Sequence, residues 1–247
     1  IIMTNVKYVN LKPTSKLTEL TKASVKYIII HHIDACSASW EDINNWHKSN
    51  NWACAGYNEY ITKTGDVYIL RGEHVGAHCK GYNDVSYGIA IEGNYDIETE
   101  LPEIQKDVLI ERIYTAKCEF RNLQDIKLHR DLGNTTCPGK FFPQYEINEG
   151  IKKYCKDKEE KEKEMKEFEE NIRILEEEGI INSTSYWKVK GKEESSSITG
   201  IYLQKLLQDS AKRIKELKQL EDDINFLWNE DIINSTDYWL KESKKEV

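Results

Sequence analysis

A histidine and a cysteine stand eight positions apart in the stretch LHRDLGNTTCPG, residues 128–139. His129 and Cys137 are both of the residue types that bind zinc, and this separation lets the two side chains meet at one ion. Two ligands do not hold zinc, because a catalytic site uses three protein ligands and leaves a fourth position open to water. The spacing therefore predicts a metal site whose third ligand comes from another segment.

The run YIIIHHI, residues 27–33, can supply that third ligand. Its β-branched apolar residues predict a buried strand that ends in His31 and His32. Neighbouring side chains on a strand point to opposite faces, so only one of the two histidines can face the metal. A structural zinc site would need a fourth protein ligand, and the sequence leaves His32 and Asp131 open for that role.

Strands and helices alternate around these residues. The patterns predict a helix capped by Ser39, two short strands within 57–70, a strand at 86–93, a helix at 101–120 and a strand at 125–130. Such interleaving favours an α/β domain, which we place at residues 1–154.

The chain after residue 154 differs in character, being dense in charged residues and in helix formers. Within it, LEEEGIINSTSYWK at 175–188 recurs as LWNEDIINSTDYWL at 227–240. We expect residues 155–247 to form an all-α C-terminal region with a duplicated helical module, at about 172–190 and 224–242. Two copies of a module are more typical of binding or assembly than of catalysis. We therefore expect these helices to bind a cell-wall surface or to form a homo-oligomer.

Composition excludes several classes of function. The net charge of −8, with no compensating basic stripe, argues against a nucleic-acid partner. No apolar run reaches the ~18 residues of a membrane span, and the first ten residues lack the order of a signal peptide. We therefore expect synthesis in a cytoplasm and no membrane insertion. The six cysteines lack paired spacing and predict reduced thiols, with a Cys36–Cys54 disulfide as the alternative.

The chain resembles the type 2 N-acetylmuramoyl-L-alanine amidases, which include phage lysozyme-amidases and peptidoglycan recognition proteins. The resemblance covers roughly residues 24–154 and is carried by IIIHH (28–32), GYNEYITKTGDVY (56–68), HVGAHCKGYNDVSYGIAIEGN (74–94) and HRDLGNTTCPG (129–139). It implies a mixed central sheet flanked by helices. It also implies a zinc enzyme that hydrolyses the amide bond between N-acetylmuramic acid and L-alanine in bacterial peptidoglycan.

The resemblance also implies roles for individual residues, with Zn²⁺ as the cofactor. It places the metal ligands at His31, His129 and Cys137. Tyr57 and Thr135 correspond to residues beside the metal, where their hydroxyls can stabilise a developing oxyanion. Some relatives have lysine at the position of Thr135, so the threonine is closer to the recognition-protein amidases. The expected contacts with substrate are Asn58, His78 and Glu92.

These features favour a phage or prophage endolysin that is made in the bacterial host cytoplasm without a signal peptide and acts on the cell wall after release. The alternative is a non-catalytic peptidoglycan-binding module, because family members that lost the zinc ligands bind peptidoglycan without cutting it. All three ligand positions are filled in this chain, which favours the enzyme.

Overall fold

The computed structural model describes residues 4–179 and 198–229. The chain divides into two compact units, of which the first ends at Asp157 and the second begins at Lys158. Among the helices described, none combines the length and the apolar composition that crossing a bilayer requires.

A six-stranded sheet forms the centre of the first unit. Its strands are β1 (Val6–Tyr8), β2 (Tyr27–His32), β3 (Glu59–Ile61), β4 (Val67–Ile69), β5 (Ser86–Ile91) and β6 (Asp125–Leu128). They lie in the order β1-β4-β3-β5-β2-β6. β3 and β4 pair antiparallel, and the other four neighbouring pairs are parallel. The expected mixed sheet is confirmed, although β1 was not predicted.

The helices are α1 (Trp40–Ser49), α2 (Glu103–Glu119), α3 (Gln144–Glu177) and α4 (Ile198–Asn229). α1 begins with the predicted cap: the Asp42 backbone N–H donates to Ser39 Oγ at 3.1 Å, and the Ser39 N–H donates to the Asp42 carboxylate at 2.9 Å. α3 begins at Gln144, so it starts before the domain boundary predicted at residue 154 and continues beyond it.

Alternation along β2 explains how one strand serves both the core and the site. Ile28 and Ile30 are buried in a core that also holds Leu109 and Ile113 of α2. Their neighbour His31 must point to the opposite face of the sheet. On that face a second apolar cluster gathers around Ile43 of α1, together with Tyr60 and Ala90.

Parallel pairing brings three strand ends to one edge of the sheet. β2 pairs with β5 on one side and with β6 on the other, so all three carboxyl ends meet there. In open α/β sheets this edge is where sites are usually built. His31 and His32 lie at this end of β2, and His129 directly follows β6.

The second unit has an apolar core of its own, formed by the later part of α3 and by α4: Phe168, Ile172, Leu175, Leu207 and Ala211. The presence of α4 agrees with the helical C-terminal region expected from the sequence. The two Ile-Ile-Asn-Ser-Thr junctions of the predicted repeat, at 180–184 and 232–236, lie outside the described residues. The duplicated module therefore stays a prediction.

Candidate metal and active site

Three ligand-type side chains converge at the carboxyl edge of the sheet. His31 ends β2, His129 opens a 3-10 turn after β6, and Cys137 lies in the loop that follows. Their ligand atoms all lie within 4.8 Å of one another. Cys137 Sγ is 3.7 Å from His31 Nδ1, and the rings of His31 and His129 are 4.5 Å apart. The structure thus brings together the three residues expected to bind metal.

The geometry and chemistry of this cluster fit zinc. A tetrahedral ion with Zn–N of about 2.0 Å and Zn–S of about 2.3 Å separates a nitrogen from a sulfur ligand by about 3.5 Å. The Sγ to Nδ1 distance of 3.7 Å agrees with that value. Burial lowers the pKa of His31 and of His129, so both imidazoles are neutral and keep a lone pair for a metal.

The Cys137 thiol needs a metal in order to ionise. Burial raises its pKa to about 12, against a smaller opposing effect from the His32 backbone N–H, which donates to Sγ at 3.4 Å. A metal ion displaces the thiol proton on binding, as in other zinc–cysteine sites. All six cysteines lie in the described part of the chain and are free thiols there.

Hydrogen bonds fix the loop that carries Cys137. The Asp96 carboxylate accepts from the Thr136 hydroxyl at 2.6 Å and from the Lys140 backbone N–H at 2.9 Å. The Arg130 N–H donates to the Cys137 carbonyl at 2.8 Å. Gly139 has φ +104°, and a Cβ there would lie 2.3 Å from the carbonyl carbon of Tyr95. Only glycine fits so close an approach, which accounts for the glycine of the Cys-Pro-Gly sequence.

The other histidine of the pair belongs to a second group, in which His32, Asp34 and Asp96 lie close enough to hold a cation. However, the Tyr95 backbone N–H donates to His32 Nδ1 at 3.1 Å. Burial lowers the pKa of His32, so its ring is neutral and its one hydrogen must be on Nε2. A protonated Nε2 has no lone pair to offer a metal, so we do not assign a metal to this group.

The two expected catalytic hydroxyls flank the cluster. The Tyr57 ring lies 5.2 Å from that of His31, and burial raises the pKa of Tyr57 well above its usual value. Thr135 is exposed, and its Oγ1 accepts from the Cys137 backbone N–H at 3.2 Å. This bond uses a lone pair of Oγ1 and not its hydrogen, so the Thr135 hydroxyl can still donate its hydrogen to another group.

Asn58 differs from its expected role as a substrate contact. Its side chain is completely buried. The amide nitrogen donates to the Gly72 and His74 carbonyls, both at 2.8 Å, and the amide oxygen accepts from the Gly88 N–H at 2.8 Å. With every polar atom engaged by backbone, Asn58 joins the hairpin to β5 and has no surface to offer a ligand.

Glu92 and His78 were also expected to contact substrate, and both are buried. The Glu92 carboxylate accepts from the Ser37 hydroxyl at 2.7 Å and from the Lys63 backbone N–H at 2.8 Å, so it holds two loops together. His78 lies behind His31, with its Nδ1 3.0 Å from His31 Nε2. These contacts turn both side chains toward the protein, and a contact of either with substrate stays a prediction.

Comparison with known proteins identifies the family. A family model described as N-acetylmuramoyl-L-alanine amidase matches residues 21–140. Peptidoglycan-recognition protein SC2 of Drosophila melanogaster is 33% identical over 129 residues, which span 47% of this chain and 68% of the relative. The chain belongs to the N-acetylmuramoyl-L-alanine amidase family.

Two further proteins of the amidase family are similar to this chain. The endolysin of Klebsiella phage KP32 is 28% identical over 129 residues, covering 49% of this chain and 85% of the relative. The solved N-acetylmuramoyl-L-alanine amidase LysC from Clostridium intestinale URNW is 30% identical with a TM-score of 0.56, covering 60% of this chain and 97% of that one. The family and the fold expected from the sequence are both confirmed.

A further histidine of the amidase domain, His47, lies beside the segment that carries Tyr57. His47 Nδ1 accepts from the Gly56 backbone N–H at 2.8 Å, and its ring lies 5.4 Å from Tyr57 and 4.5 Å from Trp52. It thus supports the segment that carries Tyr57. The sequence offered no signal for this contact beyond the proximity of aromatic residues, because folding brings α1 and this segment together.

Proposed function

We propose that this chain is a zinc-dependent N-acetylmuramoyl-L-alanine amidase that cuts the bond between N-acetylmuramic acid and L-alanine in bacterial peptidoglycan. The convergence of His31, His129 and Cys137 carries the proposal. Two neutral imidazoles and one thiolate would supply the three protein ligands that a catalytic zinc site uses when its fourth position is kept for water. A zinc ion held by these residues would polarise the scissile carbonyl and activate water.

Tyr57 and Thr135 act as hydrogen-bond donors to the carbonyl oxygen as negative charge develops on it. The raised pKa of Tyr57 keeps the phenol protonated, so it can donate and is not a general base. Thr135 accepts from the Cys137 N–H, which supports the orientation of its own hydroxyl hydrogen away from that bond. Donors already in place at such a site stabilise the transition state without reorganisation.

We further propose that the enzyme serves as a phage-type endolysin, which is made in the host cytoplasm and acts on the wall after release. The similarity to the Klebsiella phage KP32 endolysin, which is covered over 85% of its length, supports this role. The family also contains peptidoglycan recognition proteins, and a recognition module that binds without cutting is the rival function. The complete ligand set favours catalysis.

Removal and return of the metal test the proposal. After treatment with a chelator, the protein should release no new N-terminal alanine from a soluble muropeptide, and added zinc should restore the reaction. Full activity in a metal-free preparation would contradict the zinc mechanism. Muropeptide binding without hydrolysis, in protein shown to contain zinc, would instead establish the recognition module.

Replacing the thiolate ligand gives a sharper prediction. Cys137→Ser should lose most of its zinc and its activity, because a strongly bonding thiolate is exchanged for a poorly ionised hydroxyl. Cys118→Ser is the matched control, since Cys118 is exposed on α2 and should keep both. Zinc per chain is measured by elemental analysis beside the rate of alanine release. Equal zinc contents in the two variants would remove Cys137 from the ligand set.

A further inference from the structure

His78 occupies a buried position directly behind a proposed zinc ligand. Only 7% of its surface is exposed, and its Nδ1 lies 3.0 Å from His31 Nε2. The two rings meet edge to face, with centroids 5.0 Å apart and planes at 83°. The Asn83 side-chain oxygen accepts from the His78 backbone N–H at 2.9 Å and so holds the segment in place.

The hydrogen bond between the two histidines has a direction. His31 Nδ1 lies 3.7 Å from Cys137 Sγ, so Nδ1 is the nitrogen that faces the other ligands. A ligating nitrogen needs its lone pair, so the hydrogen of neutral His31 is on Nε2 and is donated to His78 Nδ1. His78 must then carry its own hydrogen on Nε2. That atom is buried and has no hydrogen-bond partner among the described residues, 4–179 and 198–229.

A buried imidazole at this place needs space between the segments that pack against it. Two glycines make room for it. A Cβ at Gly88 of β5 would lie 2.6 Å from the His78 ring, and a Cβ at Gly76 would lie 2.2 Å from His78 Cδ2. The backbone on both sides thus leaves space for an imidazole at this place, although one of its nitrogens gains no hydrogen bond there.

We propose that His78 is a positioning residue that accepts the His31 Nε2–H and thereby fixes the tautomer and ring orientation with which His31 presents Nδ1 to the metal. The inference rests on the proposed function, since zinc is the ion that His31 would bind. A metal-bound histidine commonly donates its second N–H to a carboxylate, a carbonyl or water. Here the acceptor is a neutral imidazole, which orients the ligand without adding negative charge to the site.

Amide substitutions of His78 in the full-length chain distinguish the role of Nδ1 from that of Nε2. His78→Asn places an amide atom where Nδ1 stands and can keep the acceptor. His78→Gln places its amide atoms near the position of Nε2, and His78→Leu has no acceptor. Zinc affinity of each variant is measured by competition with a chromophoric chelator. Thermal unfolding of the metal-free proteins reports whether each variant folds.

We expect His78→Leu and His78→Gln to bind zinc about 10–100-fold more weakly than the unaltered chain, the range found when such partners of metal ligands are removed. His78→Asn should stay within a few-fold of it. Equal affinities for the Asn and Gln variants would overturn the inference, and this comparison holds even if the Leu variant fails to fold. A lack of zinc binding by the unaltered chain would instead refute the proposed function itself.

Discussion

Tyr57 shows what a single residue contributes beside the ligand cluster. Its ring centroid lies 5.2 Å from that of His31 and 5.4 Å from that of His47. Burial is the main cause of its raised pKa, and the nearby Cys137 adds to the effect. The phenol therefore stays protonated throughout the pH range in which a wall hydrolase works. A group that always carries its hydrogen can donate a hydrogen bond but cannot abstract a proton.

Tyr57→Phe tests this donor role. The change removes one oxygen and leaves the ring, so zinc content and fold should be unchanged while turnover of soluble muropeptide falls by about 10²–10³-fold. Tyr68→Phe, on strand β4, serves as the control and should keep its turnover. A parallel fall in zinc content would show that Tyr57 supports the metal site and not the transition state. Unchanged turnover would eliminate the donor role.

Residue types indicated the cluster, but hydrogen-bond partners decided the roles of its neighbours. Side-chain chemistry and spacing indicated His129, Cys137 and the His31–His32 pair, and the resemblance to the amidases selected His31 from that pair. The partners of Asn58 and Glu92 could not be predicted in the same way. Their partners are mostly backbone groups, such as the Gly72 carbonyl and the Lys63 N–H, which only the folded chain brings within reach.

At the scale of elements, the site depends on a loop that has no regular structure. The segment after the 3-10 turn carries Thr135 and Cys137, and Asp96 connects it to the segment after β5. The hydrogen bond from the Thr136 hydroxyl is the main cause of the lowered pKa of Asp96, and the bond from the Lys140 N–H follows. These bonds favour the ionised carboxylate in the folded state.

The lowered pKa gives a prediction with a defined sign. A carboxyl whose pKa is lower in the folded state stabilises that state above its unfolded pKa, here near 3.8, and loses this effect as pH falls through the folded value. Asp96→Asn should therefore unfold at lower urea concentration at pH 7, with the difference from the unaltered chain shrinking below pH 3.8. The exposed Asp107→Asn is the control. A difference that stays constant down to pH 3 would contradict this account.

Most helices and strands of the first unit could be predicted, because the sequence of each one carries a recognisable pattern. The β-branched run of β2 predicts a strand, and the Ser39–Asp42 cap predicts the start of α1. β1 is only three residues long, Val6–Tyr8, and forms because β4 is available as a parallel partner. Its local sequence carries too little information to predict it. The start of α3 at Gln144 was missed because the charge-rich sequence that marks this helix begins only after residue 154.

At the scale of the whole molecule, different observations indicate the role of each of the two units. The first contains the ligand cluster and matches the amidase family over residues 21–140. The second begins at Lys158 and has a separate core around Phe168 and Leu207. Its predicted repeat carries paired aromatics, Tyr186–Trp187 and Tyr238–Trp239, that lie outside the described residues. Two equivalent binding modules would raise apparent affinity for a wall through effective concentration, often by about 10²–10⁴.

Truncation of the chain tests whether the two units have separate functions. The cut belongs after Asp157, because Ile147 and Ile151 of α3 are buried in the amidase core and Tyr154 packs against it. We expect the shortened chain to keep its zinc and its hydrolysis of soluble muropeptide, but to bind and lyse intact walls much less well. The rival expectation is self-association through the acidic C-terminal region, which anionic wall polymers would repel.

Two measurements on the full-length and shortened chains separate these expectations. Sedimentation with purified walls reports binding, and light scattering reports molecular mass. Loss of wall binding at unchanged oligomeric state supports a wall-binding module. A fall in mass from a multimer to a monomer supports assembly. The zinc content of the shortened chain is the control, since it shows that the amidase unit is intact. If truncation altered neither wall binding nor mass beyond the deleted residues, both interpretations of the repeat would be wrong.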